Sequence, residues 1–284
     1  MAFVIPRALE VNCQGHAERE AWLAELPDVI GQLERRWELI LGTPFDTDDV
    51  RRSWVATAAL PNGKQGVLKI GMPHMEGAQE IAGLRFWNGD PTVHLLNADE
   101  AMNAMLLERC KPGTPLRLAP ESEQDTVIAQ LLRRLWRVRT DSFRHLAVML
   151  AHWSEETLAQ RAQWPDTGLV EEGLRLFREL SAASSEDVLL ATDLHAGNVL
   201  RAERERWLVI DPKPFVGDRA YDATQHLFNC ENRLRTDADG TIRRFADLLE
   251  LEAEQVRLWV LARAAAEPRD DWSNWKMDVA RRLQ

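Results

Sequence analysis

Two aspartates and an asparagine in the third quarter of the chain are arranged as phosphoryl transfer requires. Asp193-Leu194-His195-Ala196-Gly197-Asn198 puts an acid and an amide five residues apart on what reads as a tight loop. Asp211 comes thirteen residues after Asn198, at the end of the apolar run Trp207-Leu208-Val209-Ile210. Moving a phosphoryl group asks little covalent chemistry of a protein. It needs hard oxygen ligands for Mg²⁺ and a carboxylate beside the attacking hydroxyl. Asp193 would take the proton, and Asn198 and Asp211 would hold the metal. The spacing alone is a weak signal, because Asp, Gly and Asn are also ordinary turn formers.

The flanking pattern strengthens it. Val188-Leu189-Leu190-Ala191 reads as a short strand before the loop, Val199-Leu200 as a strand after it, residues 202–206 as a polar turn, and residues 207–210 as the strand that delivers Asp211. Upstream, residues 16–42 read as one helix with Leu26, Ile30, Leu33, Trp37 and Leu41 on a single face. Residues 53–60 and 66–70 read as strands joined by the turn Pro61-Asn62-Gly63-Lys64. A helix over 76–87 is stopped by Asn88-Gly89, and short strands follow at 93–96 and 104–107. Lys111-Pro112-Gly113-Thr114-Pro115 is the clearest breaker cluster. Beyond it the spacing is mostly helical: Val127, Leu131, Leu135 and Val138, then Val170, Leu174, Phe177 and Leu180, then helices near 220–230, 242–250, 254–266 and 274–283. The expected fold is α+β and two-lobed. A β-rich lobe spans 1–110, with a helical extension over 1–45 and a sheet with one helix over 50–110. A larger helical lobe spans 111–284. Clefts between lobes are favoured ligand sites.

Length and composition suit this. The chain has 284 residues and is 45% hydrophobic, enough for a large core. No apolar run is long enough to span a bilayer, and residues 1–7 lack the charged start and apolar core of a signal peptide, so a cytoplasmic protein without a membrane partner is expected. Cys13, Cys110 and Cys230 are scattered, which disfavours a disulfide framework or structural zinc. With 45 acids against 35 bases the net charge is −10, which disfavours nucleic acid as a partner and would attract a cationic small molecule, although acidity that simply keeps the protein in solution is the better general explanation. Most of the eleven tryptophans are expected in the core.

A nucleotide site also needs a cation on the phosphates. Lys69 lies within the apolar strand Gly66-Val67-Leu68-Lys69-Ile70, and Glu80 follows eleven residues later at the next helix. A strand lysine held by a helix glutamate aims its ammonium at the α- and β-phosphates. Together, Leu68-Lys69, Glu80 with Leu84-Arg85-Phe86-Trp87-Asn88-Gly89, Leu106-Leu107-Glu108-Arg109, the Asp193 to Asn198 loop, Ile210-Asp211-Pro212-Lys213, Val216-Gly217-Asp218 and Ala220-Tyr221 resemble the aminoglycoside/hydroxyurea antibiotic-resistance kinases. The streptomycin 6-phosphotransferase branch fits best. The resemblance covers residues 50–232 in order. It implies a protein-kinase-like fold and ATP-dependent transfer, with Mg²⁺, to a hydroxyl of a small cationic antibiotic; GTP in place of ATP stays open, and a monomer or weak dimer is expected. Asp193 would be the base, Asn198 and Asp211 the metal ligands, Lys69 the phosphate contact and Glu80 its partner. The backbone of Glu108, Arg109 and Cys110 would meet adenine. His195 would be structural and Asp218 would brace the loop after Asp211.

Two departures stand out. The family places His-Gly before the catalytic Asp, where this chain has Ala191-Thr192. A lost bracing bond there is worth about 0.5–1.5 kcal/mol. The loop expected over the phosphates, residues 45–54, has no glycine but carries Asp46, Asp48 and Asp49, with Ser53 as a hydroxyl donor. For the acceptor, Glu231, Glu267, Asp270, Asp271, Trp272 and Trp275 could pair with and cover a cation, as could the segment Trp153-Ser154-Glu155-Glu156. Asp270 and Asp271 also read as a solvated turn before a helix starting near Ser273. Three alternatives stay open: a kinase for another small molecule such as hydroxyurea, a sugar or a choline-like compound; a kinase-derived nucleotide-binding module without turnover; and a hydrolytic metal enzyme using His195, Asp193 and Asp211.

Overall fold

The alternation in Trp54, Ala56 and Ala58 is the signature of a strand with one face in a core, and it sets the first half of the fold. A computed structural model describes residues 4–47, 50–138, 142–272 and 274–284. Asp48, Asp49 and Ser273, named above, and residues 1–3 of the segment read for a signal lie outside them. The chain divides into two compact units, one formed by Met1–Thr114 with Leu200–Ile210 and the other by Pro115–Val199 with Asp211–Gln284.

The first unit opens with helices α1 (Arg7–Cys13) and α2 (Ala17–Trp37). Strands β1 (Ile40–Pro44), β2 (Ser53–Ala59) and β3 (Gln65–Gly71) follow, then helix α3 (Glu80–Trp87) behind a 3-10 turn, Glu76–Gln79, and strands β4 (Leu95–Asp99) and β5 (Ala104–Glu108). They form one antiparallel sheet in the order β1-β2-β3-β5-β4. Leu9, Leu26, Ile30 and Leu33 pack on one face against Trp54, Ala56, Leu68, Ile70 and Leu106. Each such aliphatic side chain contributes about 1.5–3 kcal/mol when fully buried. Ile81, Leu84, Met105 and Leu107 form a separate core with Leu208. The period of two puts Met105 and Leu107 opposite Leu106, so the sheet is covered on both sides.

The expected helix over 16–42 is too long. It ends at Trp37, where Glu38 turns left-handed (φ 52°) and Leu39 N–H closes on Glu34 O. Leu41 then pairs with Ala58 in β1. Its helical spacing coincided with strand burial, which periodicity alone cannot distinguish over so few residues. Asn88 stops α3 as expected, in the left-handed conformation (φ 46°).

The second unit holds helix α4 (Glu121–Leu135), strand β6 (Arg137–Val138), helices α5 (Leu146–Ala159) and α6 (Thr167–Leu180), and strand β7 (Val188–Leu190). Strands β8 (Val199–Arg201) and β9 (Trp207–Val209) form a hairpin, most of which belongs to the first unit. Strand β10 (Phe215–Gly217) returns to pair with β7, in the order β10-β7-β6. Helices α7 (Arg219–Phe228), α8 (Glu231–Thr236), α9 (Ala238–Leu249), α10 (Ala253–Ala266) and α11 (Trp275–Leu283) complete the chain. Val138, read as a fourth position on the α4 face, is instead 85% exposed in β6. The helix stops at Trp136, whose backbone is extended and whose indole is bonded to Asp222.

Candidate functional site

In the first unit, Lys69 sits between Leu68 and Ile70, so strand alternation turns it away from the face that α2 covers. Glu80, the first residue of α3, receives its ammonium at 2.6 and 2.8 Å. Both side chains are buried, at 9% and 4% exposure. A buried lysine is stable as an ion only with such a partner. Glu108 ends β5; its N–H is bonded to His94 O, and its carboxylate accepts from His94 N and from the Arg204 guanidinium. Burial opposes this carboxylate's charge, yet Arg204 and the His94 amide hold its pKa below the ordinary value. Burial and the Glu108 charge push the Cys110 thiol up to about 12. The Arg109 side chain is bonded to Gln65. Ser53 starts β2 half-buried, opposite Gly71. Asp46 accepts from the Ala8 amide near the start of α1, so this carboxylate is engaged by a helix N-terminus.

In the second unit, the loop after β7 carries Asp193 and Asn198. The Asn198 Nδ2 donates to Asp193 O at 3.0 Å, which commits the nitrogen and offers the amide oxygen as a ligand atom. His195 is half-buried, and its Nδ1 accepts from Gly197 N at the start of the 3-10 turn Ala196–Asn198. Asp211 is left-handed (φ 56°), and its carboxylate is paired with the ammonium of Lys213. That conformation is uncommon for a residue with a Cβ and gathers at sites where geometry is imposed by the surroundings.

The Ala191-Thr192 departure is compensated from elsewhere. Asp222 on α7 is fully buried and accepts from Ala191 N (3.0 Å), Thr192 N (2.7 Å) and Trp136 Nε1 (3.0 Å). Thr192 is left-handed (φ 47°), and its hydroxyl donates to Lys213 O at 2.6 Å, while Lys213 N returns to Ala191 O. The approaches to Asp193 and Asp211 are therefore tied together. Burial pushes the Asp222 carboxyl up to about 6 against the donors that favour its charge. Sequence reading passed over Asp222, which directly follows Ala220-Tyr221; a lone acid in an apolar helix face was the available signal. Asp218 itself caps α7 through Ala220 N and accepts from Gln255 and Trp259, so it joins α7 to α10.

Of the expected acceptor residues, Glu231 is paired with Arg235, and Asp270 and Asp271 are exposed. Trp272 is 3% exposed, donates to Gln160 and lies beneath Arg269. Glu267 is bound by both Arg263 and Lys276. Burial alone would raise its pKa, but Arg263, Lys276 and Arg269 hold it at about 2. Elsewhere in this unit, Asp125, His226 and Cys230 bring ligand-type atoms within 4.8 Å of one another. Arg233 reaches the same carboxylate at 2.6 Å and the same sulfur at 2.7 Å, so the cation there is a guanidinium.

A family model for aminoglycoside/hydroxyurea antibiotic resistance kinases matches residues 36–269. Streptomycin 6-kinase of Streptomyces griseus is 35% identical over 267 residues, covering 88% of this chain and 84% of that protein. Hydroxyurea phosphotransferase of Kitasatospora aureofaciens is 34% identical over 269 residues, covering 90% and 75%. Among solved structures, choline kinase LicA from Streptococcus pneumoniae gives a TM-score of 0.64 at 12% identity, over 90% of this chain and 96% of that one. A spectinomycin phosphotransferase solved with ADP and spectinomycin gives 0.54 at 12% identity, over 90% and 93%. These two likenesses show the shared α+β fold. No helix among the described residues is long and apolar enough to cross a membrane.

Proposed function

Because the chain belongs to the aminoglycoside/hydroxyurea antibiotic resistance kinase family, we propose that it transfers the γ-phosphoryl group of ATP to a hydroxyl of a small antibiotic of the streptomycin type. The observation that carries this reading is one loop presenting a carboxylate and an amide oxygen five residues apart, with its backbone fixed by Asp222. Asp193 orients the hydroxyl and accepts its proton as the oxygen attacks phosphorus. The Asn198 amide oxygen and the Asp211 carboxylate are hard donors that fit Mg²⁺, and this carboxylate is already paired with the Lys213 ammonium. Magnesium bound there would offset phosphate charge. Lys69, aimed by Glu80, serves the α- and β-phosphates. The Glu108 N–H is bonded to His94 O, so base recognition by the Glu108, Arg109 and Cys110 segment uses its other backbone groups.

A second acceptor class, small and uncharged as hydroxyurea is, is favoured by one observation. Arg263 and Lys276 each pair with Glu267 at 3.2 Å, and Arg263 is joined to Asp193 through the Gln225 amide. A multiply cationic acceptor gains nothing from such neighbours. The test measures ADP release and phosphorus NMR of the product across streptomycin, hydroxyurea, choline and simple sugars with Mg-ATP. Asp193→Asn should bind ATP and lose turnover. Wild-type turnover in that variant would refute the assignment of the base.

A further inference from the structure

Asp193 is held by more than its backbone. Gln225 Nε2 donates to Asp193 Oδ1 at 2.8 Å. The other end of the same amide accepts from Arg263 Nη2 at 3.0 Å. An arginine can only donate and a carboxylate can only accept, so the Gln225 amide has one workable orientation between them. Arg263 is 3% exposed. It also donates to Thr224 Oγ1 at 2.6 Å and pairs with Glu267 at 3.2 Å. The rings of Trp153, Tyr221 and Phe228 stand 5.6, 5.1 and 5.2 Å from its guanidinium carbon. A buried guanidinium carries a large desolvation cost, and a well-packed apolar residue would ordinarily serve stability as well or better. Its planar fork reaches Thr224, Gln225 and Glu267 at once, which a lysine ammonium on a flexible stem does less well.

Asp222 and Gln225 are three apart on α7 and so share a helix face. One fixes the two amides before Asp193, and the other fixes the Asp193 side chain. We propose that Gln225 and Arg263 are positioning residues that aim the Asp193 carboxylate at the acceptor hydroxyl, a role that rests on the phosphotransfer reading above. Arg263 locks Gln225, Gln225 locks one oxygen of Asp193, and Glu267 with the three rings locks Arg263. A carboxylate with one oxygen fixed loses rotational freedom about its final torsion, which favours the near-attack geometry over alternatives.

The test compares wild type, Asp193→Asn, Gln225→Leu and Arg263→Lys, using Mg-ATP with streptomycin or hydroxyurea. Water serves as the acceptor if neither is phosphorylated, with ADP release as the common readout. Gln225→Leu should lower kcat about tenfold or more, while KM for ATP moves less than about twofold and thermal unfolding stays near wild type. Arg263→Lys keeps the charge and a donor, and should restore kcat to between the wild-type and Gln225→Leu values. If Asp193→Asn is inactive while Gln225→Leu and Arg263→Lys keep wild-type kcat, the positioning role is wrong and the base assignment stands. If Asp193→Asn is active, both fall. A rise in acceptor KM at unchanged kcat would make Gln225 a binding group and also overturn the proposal. Should Gln225→Leu unfold, Arg263→Lys alone decides by the same kcat-against-KM split.

Discussion

Asp222→Asn separates the stability of the loop from its activity. In the wild type a fully buried carboxyl accepts three hydrogen bonds, and burial pushes its pKa from 3.8 up to about 6. A carboxyl with a raised folded pKa contributes stability that is complete below the unfolded value and is lost as pH rises through the folded one. The window therefore runs from 3.8 to about 6. At about 1.36 kcal/mol for each pH step of one across that window, the wild type becomes roughly 3 kcal/mol less stable. About 1.4 kcal/mol of that falls between pH 5 and pH 8. Asparagine mimics the protonated form and does not titrate, so the stability of the variant relative to wild type should rise by that amount between the two pH values. For a chain of this size this is about 2–3 °C in the difference between melting temperatures. Activity should move the other way. One amide oxygen cannot serve Ala191 N, Thr192 N and Trp136 Nε1 as the carboxylate does, so one buried donor is left unpaired at a cost of about 1–3 kcal/mol within the loop. A fall in kcat of about tenfold is expected at pH 8. Melting scans at both pH values and ADP release test the two halves. A difference in melting temperature that does not change with pH would refute the buried ionised carboxyl. Wild-type kcat in Asp222→Asn would refute its hold on the loop.

The other expectations are simpler. Glu80→Gln leaves the Lys69 ammonium buried without its counter-charge, so urea unfolding should show a loss of about 3–5 kcal/mol and the KM for ATP should rise about tenfold or more. Thr192→Val removes the bond to Lys213 O and should cost about 1–2 kcal/mol, whereas Thr192→Gly also relieves the left-handed strain and should stay within about 1 kcal/mol of wild type. The Cys110 thiol, pushed up to about 12, should resist an aromatic disulfide reagent at pH 8 in the native protein and react once urea unfolds it.

Local chemistry was readable in the residues themselves. Alternation placed β2 and β3, Asn88 stopped α3, and the apolar strand around Lys69 marked a lysine that must be paired when buried. The acid-to-amide spacing in the Asp193 loop is equally local, since it depends on one turn. Misreadings fell where a short apolar segment satisfied two periods, as at Leu41, or where a distant bond ended a helix, as at Trp136. Asp222 meets Trp136 across 86 residues of sequence, and Arg263 meets Gln225 across 38. Such pairs leave no period and no spacing to read, because hydrogen-bond partners far apart in the chain are selected by packing alone. Residue types and their order were enough to say which groups could carry the chemistry and on which elements they ride. What holds the loop at Asp193 was settled by packing in three dimensions. It depends on β7, α4, α7 and α10 being brought against one another, and the free energy of burying their polar groups is balanced only there.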